Sequence, residues 1–184
     1  MIRLRPGALA DAQSIAEVQV ATWRDTYGGV LPTDMLVNMS IERHTTYWQA
    51  ALLRQRAGEC ITVALVYYTI VGYGSAGPAR GRFPVATGEV QTLYVLHDFQ
   101  ELGLGRALLR ALFASLLRDG MRRAVIWVVA QNHSRFFYEA MGGIGRTIRT
   151  EQLWKTNVAT IGYEWDNLDA AIHALDARMA RTGR

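Results

Sequence analysis

Glu89-Val90-Gln91-Thr92-Leu93-Tyr94-Val95-Leu96 and, three residues later, Gln100-Glu101-Leu102-Gly103-Leu104-Gly105-Arg106 form the stretch that decides the fold. The first segment has the β-branched and aromatic content of a strand. From Leu104 to Leu117 apolar residues at 104, 108, 111 and 112 follow the spacing of one inward-facing helix stripe. Gly103 and Gly105 sit at the strand-to-helix junction. The first backbone N–H groups of a helix are unpaired and carry a partial positive charge, which suits a diphosphate. The chain therefore reads as one that holds a phosphorylated ligand by its main chain. The glycines stay bare because a side chain there would crowd the ligand.

The dinucleotide fingerprint requires a third glycine where this chain has Leu108, and no G-x-x-x-x-G-K-[ST] run exists. The pattern present is Gln100-x-x-Gly103-x-Gly105. A second block follows: Asn132-His133-Ser134-Arg135-Phe136-Phe137-Tyr138-Glu139, then Met141-Gly142-Gly143. Together they resemble the Q/R-x-x-G-x-G/A and N-x-x-x-x-F-Y-E-x-x-G blocks of the GNAT N-acetyltransferase superfamily. His133 stands where that family often has proline.

The resemblance implies an α/β architecture, a central mixed sheet flanked by helices, with acetyl-CoA as cofactor. It places the pyrophosphate on Gln100, Glu101, Leu102, Gly103, Leu104, Gly105 and Arg106. The pantetheine arm would run along Leu93, Tyr94 and Val95, with a backbone N–H there polarising the thioester carbonyl. Asn132 and Phe137 would flank the arm; capping of the helix expected at 134 is the other role open to Asn132. Gln100 and Arg106 either meet phosphate or only water.

Transfer to an amine needs a neutral nucleophile. A lysine-like amine of pKa ~10.4 is only ~0.1% neutral near pH 7.4, a penalty of about 4 kcal/mol. Glu89 is the candidate base, by resemblance to the family's strand glutamate; otherwise it is a solvated strand-end carboxylate. Strand alternation puts Glu89, Gln91, Leu93 and Val95 on one face unless a bulge intervenes. Tyr138 is the candidate acid, or else a packing aromatic. A thiol of pKa near ~8.5 and a phenol near ~10 make full proton transfer uphill by about 2 kcal/mol, so hydrogen-bond donation to the developing thiolate is the more economical role. No Gly-x-Ser-x-Gly elbow exists and Cys60 has no evident histidine partner, so direct transfer in a ternary complex is expected.

Composition agrees with one enzyme-sized domain. The 184 residues are half apolar and one-fifth charged, ordinary for a soluble globule. One cysteine excludes a disulfide framework, and His44, His97, His133 and His173 lack metal-ligand spacing. No metal site is expected. The amino terminus shows no signal-peptide core, and Ala124–Ala130 is too short to span a bilayer. The expected compartment is the cytoplasm. The net charge of +4 is scattered rather than gathered in a tail, which argues against nucleic-acid binding.

The element order expected is a strand at 2–5, helices at 8–24 and 40–55, strands at 60–67, 69–76 and 89–96, and a loop at 77–84. The 104–117 helix and a wholly apolar 123–130 strand follow, then a short helix at 134–141 and a closing pair at 145–150 and 158–166. Leu9, Ile15, Val18 and Trp23 are expected on the buried face of the first helix. Residues 1–166 read as the acetyltransferase domain and 167–184 as a helical extension capped by Asp166 or Asn167. That helix either lies over its own domain or forms a dimer contact, leaving monomer and homodimer open. The acceptor would enter near Trp23, Tyr27, Glu89, Trp154 and the loop with Arg80 and Arg82. Aromatic walls suit a small amine, and the arginines suit a carboxylate-bearing one. Protein N-termini, lysines and charged tRNA stay open as acceptors, as does a non-catalytic acyl-CoA-binding module.

Overall fold

The computed structural model describes residues 2–153 and 156–182. Its strands are β1 (Ile2–Pro6), β2 (Cys60–Val66), β3 (Thr69–Pro78), β4 (Thr87–Val95), β5 (Arg123–Val129), β6 (Ile144–Leu153) and β7 (Thr156–Trp165). Its helices are α1 (Ala12–Tyr27), α2 (Thr33–Val37), α3 (Ile41–Leu53), α4 (Leu104–Arg118), α5 (Arg135–Ala140) and α6 (Leu168–Thr182). The strands make one sheet in the order β1-β2-β3-β4-β5-β7-β6. All neighbours are antiparallel except β4 and β5, which α4 joins in parallel, as a helical crossover requires.

Several boundaries differ from expectation for local reasons. The first helix opens with a 3-10 turn at Leu9–Asp11, which leaves Leu9 exposed rather than in the core. Asp11 turns inward there, bonding Arg5 at 2.6 Å and the Ala8 N–H at 2.8 Å. The same helix runs on to Tyr27 instead of stopping at 24. The α2 helix was not expected, because five residues show no period. The loop expected from Gly77 starts later, since β3 stays paired with β4 out to Pro78↔Gly88.

The α4 stripe is wider than read. Leu104, Leu108, Leu109, Leu112, Phe113 and Leu116 are buried, while Ala111 is only half-buried. The sheet covers one side of this helix and α6 another, so a single narrow stripe would not fill the space. The helix sits close to the sheet: a Cβ on Gly88 would lie 2.7 Å from the Leu116 side chain. The α6 helix adds Leu168, Ala171 and Leu175 to the core cluster of Phe113, Leu116, Tyr163 and Trp165. Burying each of its two leucines contributes roughly 1.5–3 kcal/mol. Arg110 on α4 pairs with Asp176 on α6 at 2.9 Å. Asn167 caps α6, its Oδ1 accepting the Ala170 N–H, whereas Asp166 pairs with Arg146.

Two irregularities in β4 shape everything downstream. Ser75 pairs with Thr92 but Ala76 pairs with Val90, so Gln91 is bulged out of register. The extra residue reverses the pleat. Val90 and Leu93 therefore both pack under α4 and α6, while Tyr94 joins the cluster beneath α1 and α3. Glu89 consequently faces the α1 and α3 side with Tyr94, and not the side of Leu93 and Val95 that simple alternation gives. Second, β4 and β5 are paired only from Thr87↔Arg123 to Val90↔Ile126. Beyond that point they part, and the Gln91–Val95 edge facing β5 is left open.

Candidate active site

The strand-to-helix junction forms an anion cradle. Leu96 leads into a 3-10 turn at His97–Phe99, and Gln100 Nε2 donates to the Val95 carbonyl at 3.1 Å, fixing the loop to the strand end. Glu101 and Gly103 both take left-handed backbone, at φ 60° and 80°; glycine accepts this conformation freely. Gly103 is the N-cap of α4 and has no side chain to claim the first-turn amides. Those donors and the helix dipole face the cleft. A Cβ at Gly105 would lie in van der Waals contact with the Phe137 ring at 3.4 Å, so that ring sits close over the helix start.

The cleft encloses about 650 Å³, within the range of small-molecule and cofactor sites. Leu93, Val95, Gln100, Glu101, Gly103, Gly105 and Arg106 line one side, and Asn132, Phe137 and Tyr138 the other. Leu102 points to solvent and Leu104 into the core, so only their main chains serve the cradle. Asp25, Thr26, His97, His133, Ser134 and Met141 also line it. The sequence reading passed over these as binding residues. Asp25 and Thr26 lie in the helical turn beyond residue 24, and His97 sits in the short turn between the two quoted segments.

At the mouth of the β4–β5 split, four side chains from α1, β4 and the segment after β5 come together. Trp23 Nε1 donates to the Tyr94 hydroxyl at 3.0 Å. The Tyr27 hydroxyl lies near Tyr94 and Asn132, each of which acts on its phenol. The Asn132 Oδ1 accepts the Ser134 N–H at 2.8 Å. Burial raises the Tyr27 phenol, and the Asn132 and Tyr94 hydrogen bonds offset part of the rise. Tyr138 approaches from the α5 side, packed against Phe137 and Tyr163 at ring separations of 5.1 and 6.2 Å. Burial pushes its phenol well above the ordinary value, with nearby Tyr27 adding to the shift. Tyr138 is therefore neutral at physiological pH. Neither Trp23 nor Tyr27 lines this cleft, and the Tyr94 side chain faces away from it.

Glu89 is not a solvated strand end. It is 2% exposed, and Arg80 covers it from the loop after β3. The Arg80 N–H and Nε donate to Glu89 Oε2 at 3.0 and 3.2 Å, and Nη2 donates to Oε1 at 2.5 Å. Glu89 stands apart from the cofactor cleft, on the far face of the sheet. Two strand positions along β5 from Val125, its partner, is Trp127, with Arg149 stacked on it at 3.5 Å. Trp154, expected in the acceptor wall, lies outside the described residues. Cys60 is half-buried, and burial raises its thiol, which disfavours a nucleophilic thiolate. Among the described residues no cluster of His, Cys, Asp and Glu is placed to hold a metal.

The profile of the Acetyltransferase (GNAT) family matches residues 20–143. The uncharacterized N-acetyltransferase YuaI of Bacillus subtilis (strain 168) is 29% identical over 171 residues, covering 92% of this chain and 96% of that protein. The fold is similar to the PaiA N-acetyltransferase of Thermoplasma acidophilum solved with coenzyme A. That match has a TM-score of 0.69 and 16% identity, over 90% of this chain and 99% of the other. It is similar also to YncA of Salmonella typhimurium with acetyl-CoA, at a TM-score of 0.68 and 22% identity, over 90% and 94% of the two chains. The family match spans both the cradle and the Asn132–Tyr138 block, and on that ground the chain belongs to the GNAT family of acetyltransferases.

Proposed function

We propose that this enzyme moves an acetyl group from acetyl-CoA to the primary amine of a small molecule, directly, within a ternary complex. The observation that carries the reading is the β4–β5 split. It opens one strand edge beside a helix start that has no side-chain cap. The bare Gly103 and Gly105 and the free first-turn amides of α4 fit a diphosphate. The open Gln91–Val95 edge fits a chain of amides. When bound, the cofactor supplies an activated acyl group as a thioester.

The chain's residues divide the remaining work. First-turn amides of 103–106 hold the diphosphate, and a main-chain N–H of Leu93–Val95 polarises the carbonyl. Glu89, reached from the α1 and α3 side, accepts a proton from the incoming ammonium directly or through water. The N–C bond forms as the C–S bond breaks. Of the two protons the ammonium sheds, one leaves through Glu89 and the other ends on sulfur. Tyr138 donates a hydrogen bond to that sulfur as charge develops. Dependence on a cytoplasmic thioester pool goes with a cytoplasmic enzyme, and among the described residues no helix is long and apolar enough to cross a membrane.

Calorimetry with acetyl-CoA, followed by thiol release against a panel of amines, amino acids and peptides, tests the reading. Saturable uptake and amine-dependent thiol release are expected. Uptake without release from any amine would favour a non-catalytic binding module. Absence of uptake would remove the cradle assignment.

A further inference from the structure

Trp127 of β5 and Arg149 of β6 carry two buried nitrogens that nothing in the fold explains. Trp127 Nε1 and Arg149 Nε each lack a hydrogen-bond acceptor among the described residues. They belong to one stack: the Arg149 guanidinium lies 3.5 Å above the Trp127 ring, and Phe83 approaches the same ring at 6.3 Å. Gly162, opposite Trp127 in the ladder, seats the ring; a Cβ there would meet it at 3.1 Å. Glu151 takes only Nη2 of Arg149. A guanidinium offers a rigid fork of donors, and Arg149, held flat on the ring, keeps its Nε buried and unpaired among the described residues. Buried donors of this kind are normally satisfied.

A carboxylate counter-site stands beside them. Glu89 is buried and faces the same side of the sheet. Its partner Arg80 is largely exposed, with a side-chain exposure of 71%, and Glu151 lies near enough to Arg80 to strengthen its hold on its proton. The two ion pairs, Arg80–Glu89 and Arg149–Glu151, share this side of the sheet, with Arg149 on Trp127 two residues beyond Val125, the partner of Glu89. Arg80 is the exposed member of its pair, so exchanging it for another cation would bury no new charge, while Arg149 Nε and Trp127 Nε1 lack an acceptor among the described residues.

We propose that the acceptor of this enzyme is an amino-carboxylate, an amine that carries its own carboxylate. The carboxylate completes the Arg149 Nε and Trp127 Nε1 donors. The ammonium replaces Arg80 on Glu89, and the carbon skeleton lies against Trp127 and Phe83. This rests on the acetyl-transfer reading above and names the substrate class for it.

The test compares matched pairs of acceptors in the thiol-release assay with acetyl-CoA. Each pair is an amino acid, of α, β or longer spacing, and the same amine without its carboxylate. A charge-assisted fork sets the expected advantage in kcat/KM for the carboxylated member at about 10- to 100-fold in at least one pair. Arg149→Gln is expected to bring that ratio to within about threefold of unity, chiefly through KM, since one neutral hydrogen bond replaces the fork. Acetyl-CoA calorimetry on the variant confirms that it is folded. Equal rates for both members of every pair overturn the inference and leave the enzymatic reading standing. A ratio that Arg149→Gln leaves unmoved, with both rates lowered alike, also overturns it, because that is the mark of a structural stack. No thiol release from any amine overturns the acetyl-transfer reading and this inference with it.

Discussion

Replacing Tyr138 by Phe removes one oxygen from a buried site and little else. The ring keeps its packing against Phe137 and Tyr163, and no other side chain loses a partner through the change. Stability should move by less than about 1.5 kcal/mol, the net worth of one hydrogen-bonding group whose loss leaves no buried partner unpaired. The kinetic effect follows from the state of the phenol. Burial holds Tyr138 neutral, so its proton is strongly retained. Full transfer to a thiolate is then steeper than the roughly 2 kcal/mol set by ordinary values. What the hydroxyl can give is a hydrogen bond to a developing charge, about 1.5–3 kcal/mol. At 1.36 kcal/mol per decade this is a loss of roughly 13- to 160-fold in kcat. The sign of the pH dependence is fixed by the same observation. A phenol raised by burial stays protonated as pH rises, so the deficit of Tyr138→Phe should be uniform from about pH 6 to pH 9. Thiol release under saturating acetyl-CoA and acceptor measures it, with a melting curve as control. A loss below about threefold refutes the assignment. So does a falling limb near neutral pH that the variant abolishes, since Tyr138 would then be titrating where its burial forbids.

Tyr27→Phe should act differently. It removes a buried hydroxyl beside Tyr94 and Asn132, so a stability loss of about 0.5–1.5 kcal/mol by thermal melting and a raised KM for acetyl-CoA through a loosened Asn132 are expected; unchanged values for both would remove Tyr27 from that role. Asp11→Asn tests the entry to the first helix. The Arg5 hydrogen bond, ahead of the Ala8 N–H, lowers the Asp11 carboxyl. A depressed carboxylate stabilises above its unfolded pKa and loses that contribution as pH falls through the folded one. The variant should therefore be about 1–3 kcal/mol less stable than the parent at pH 7, and the gap should close below about pH 4. Denaturant midpoints at the two pH values measure it, and a gap that persists in acid counts against the ion pair.

The strand–helix junction was legible because it depends on local chemistry. Glycines in left-handed or ligand-facing positions, an amphipathic stripe and a strand of β-branched residues are all short-range signals. The Asn132–Tyr138 block was legible for the same reason, and the structure brings it across the cleft from the cradle. What escaped were features set by distant partners. The face of Glu89 depends on a bulge that becomes visible only when β3 pairs with β4. Its burial depends on Arg80 folding back over it from a loop. Arg149 carried no sequence signal, since its place over Trp127 follows from the β5–β7–β6 register. Tyr27 lies beside Asn132 across a separation of more than a hundred residues, which no periodicity encodes.

The sheet stops zipping halfway along its one parallel seam, and this carries a thermodynamic corollary. Main-chain groups of Gln91–Val95 that face the gap have no strand to pair with until a guest strand of amides takes that place. The donor substrate is then also a folding ligand. Amide protons beside the gap should exchange readily in the empty protein and slow by orders of magnitude on saturation, and protease resistance should rise with them.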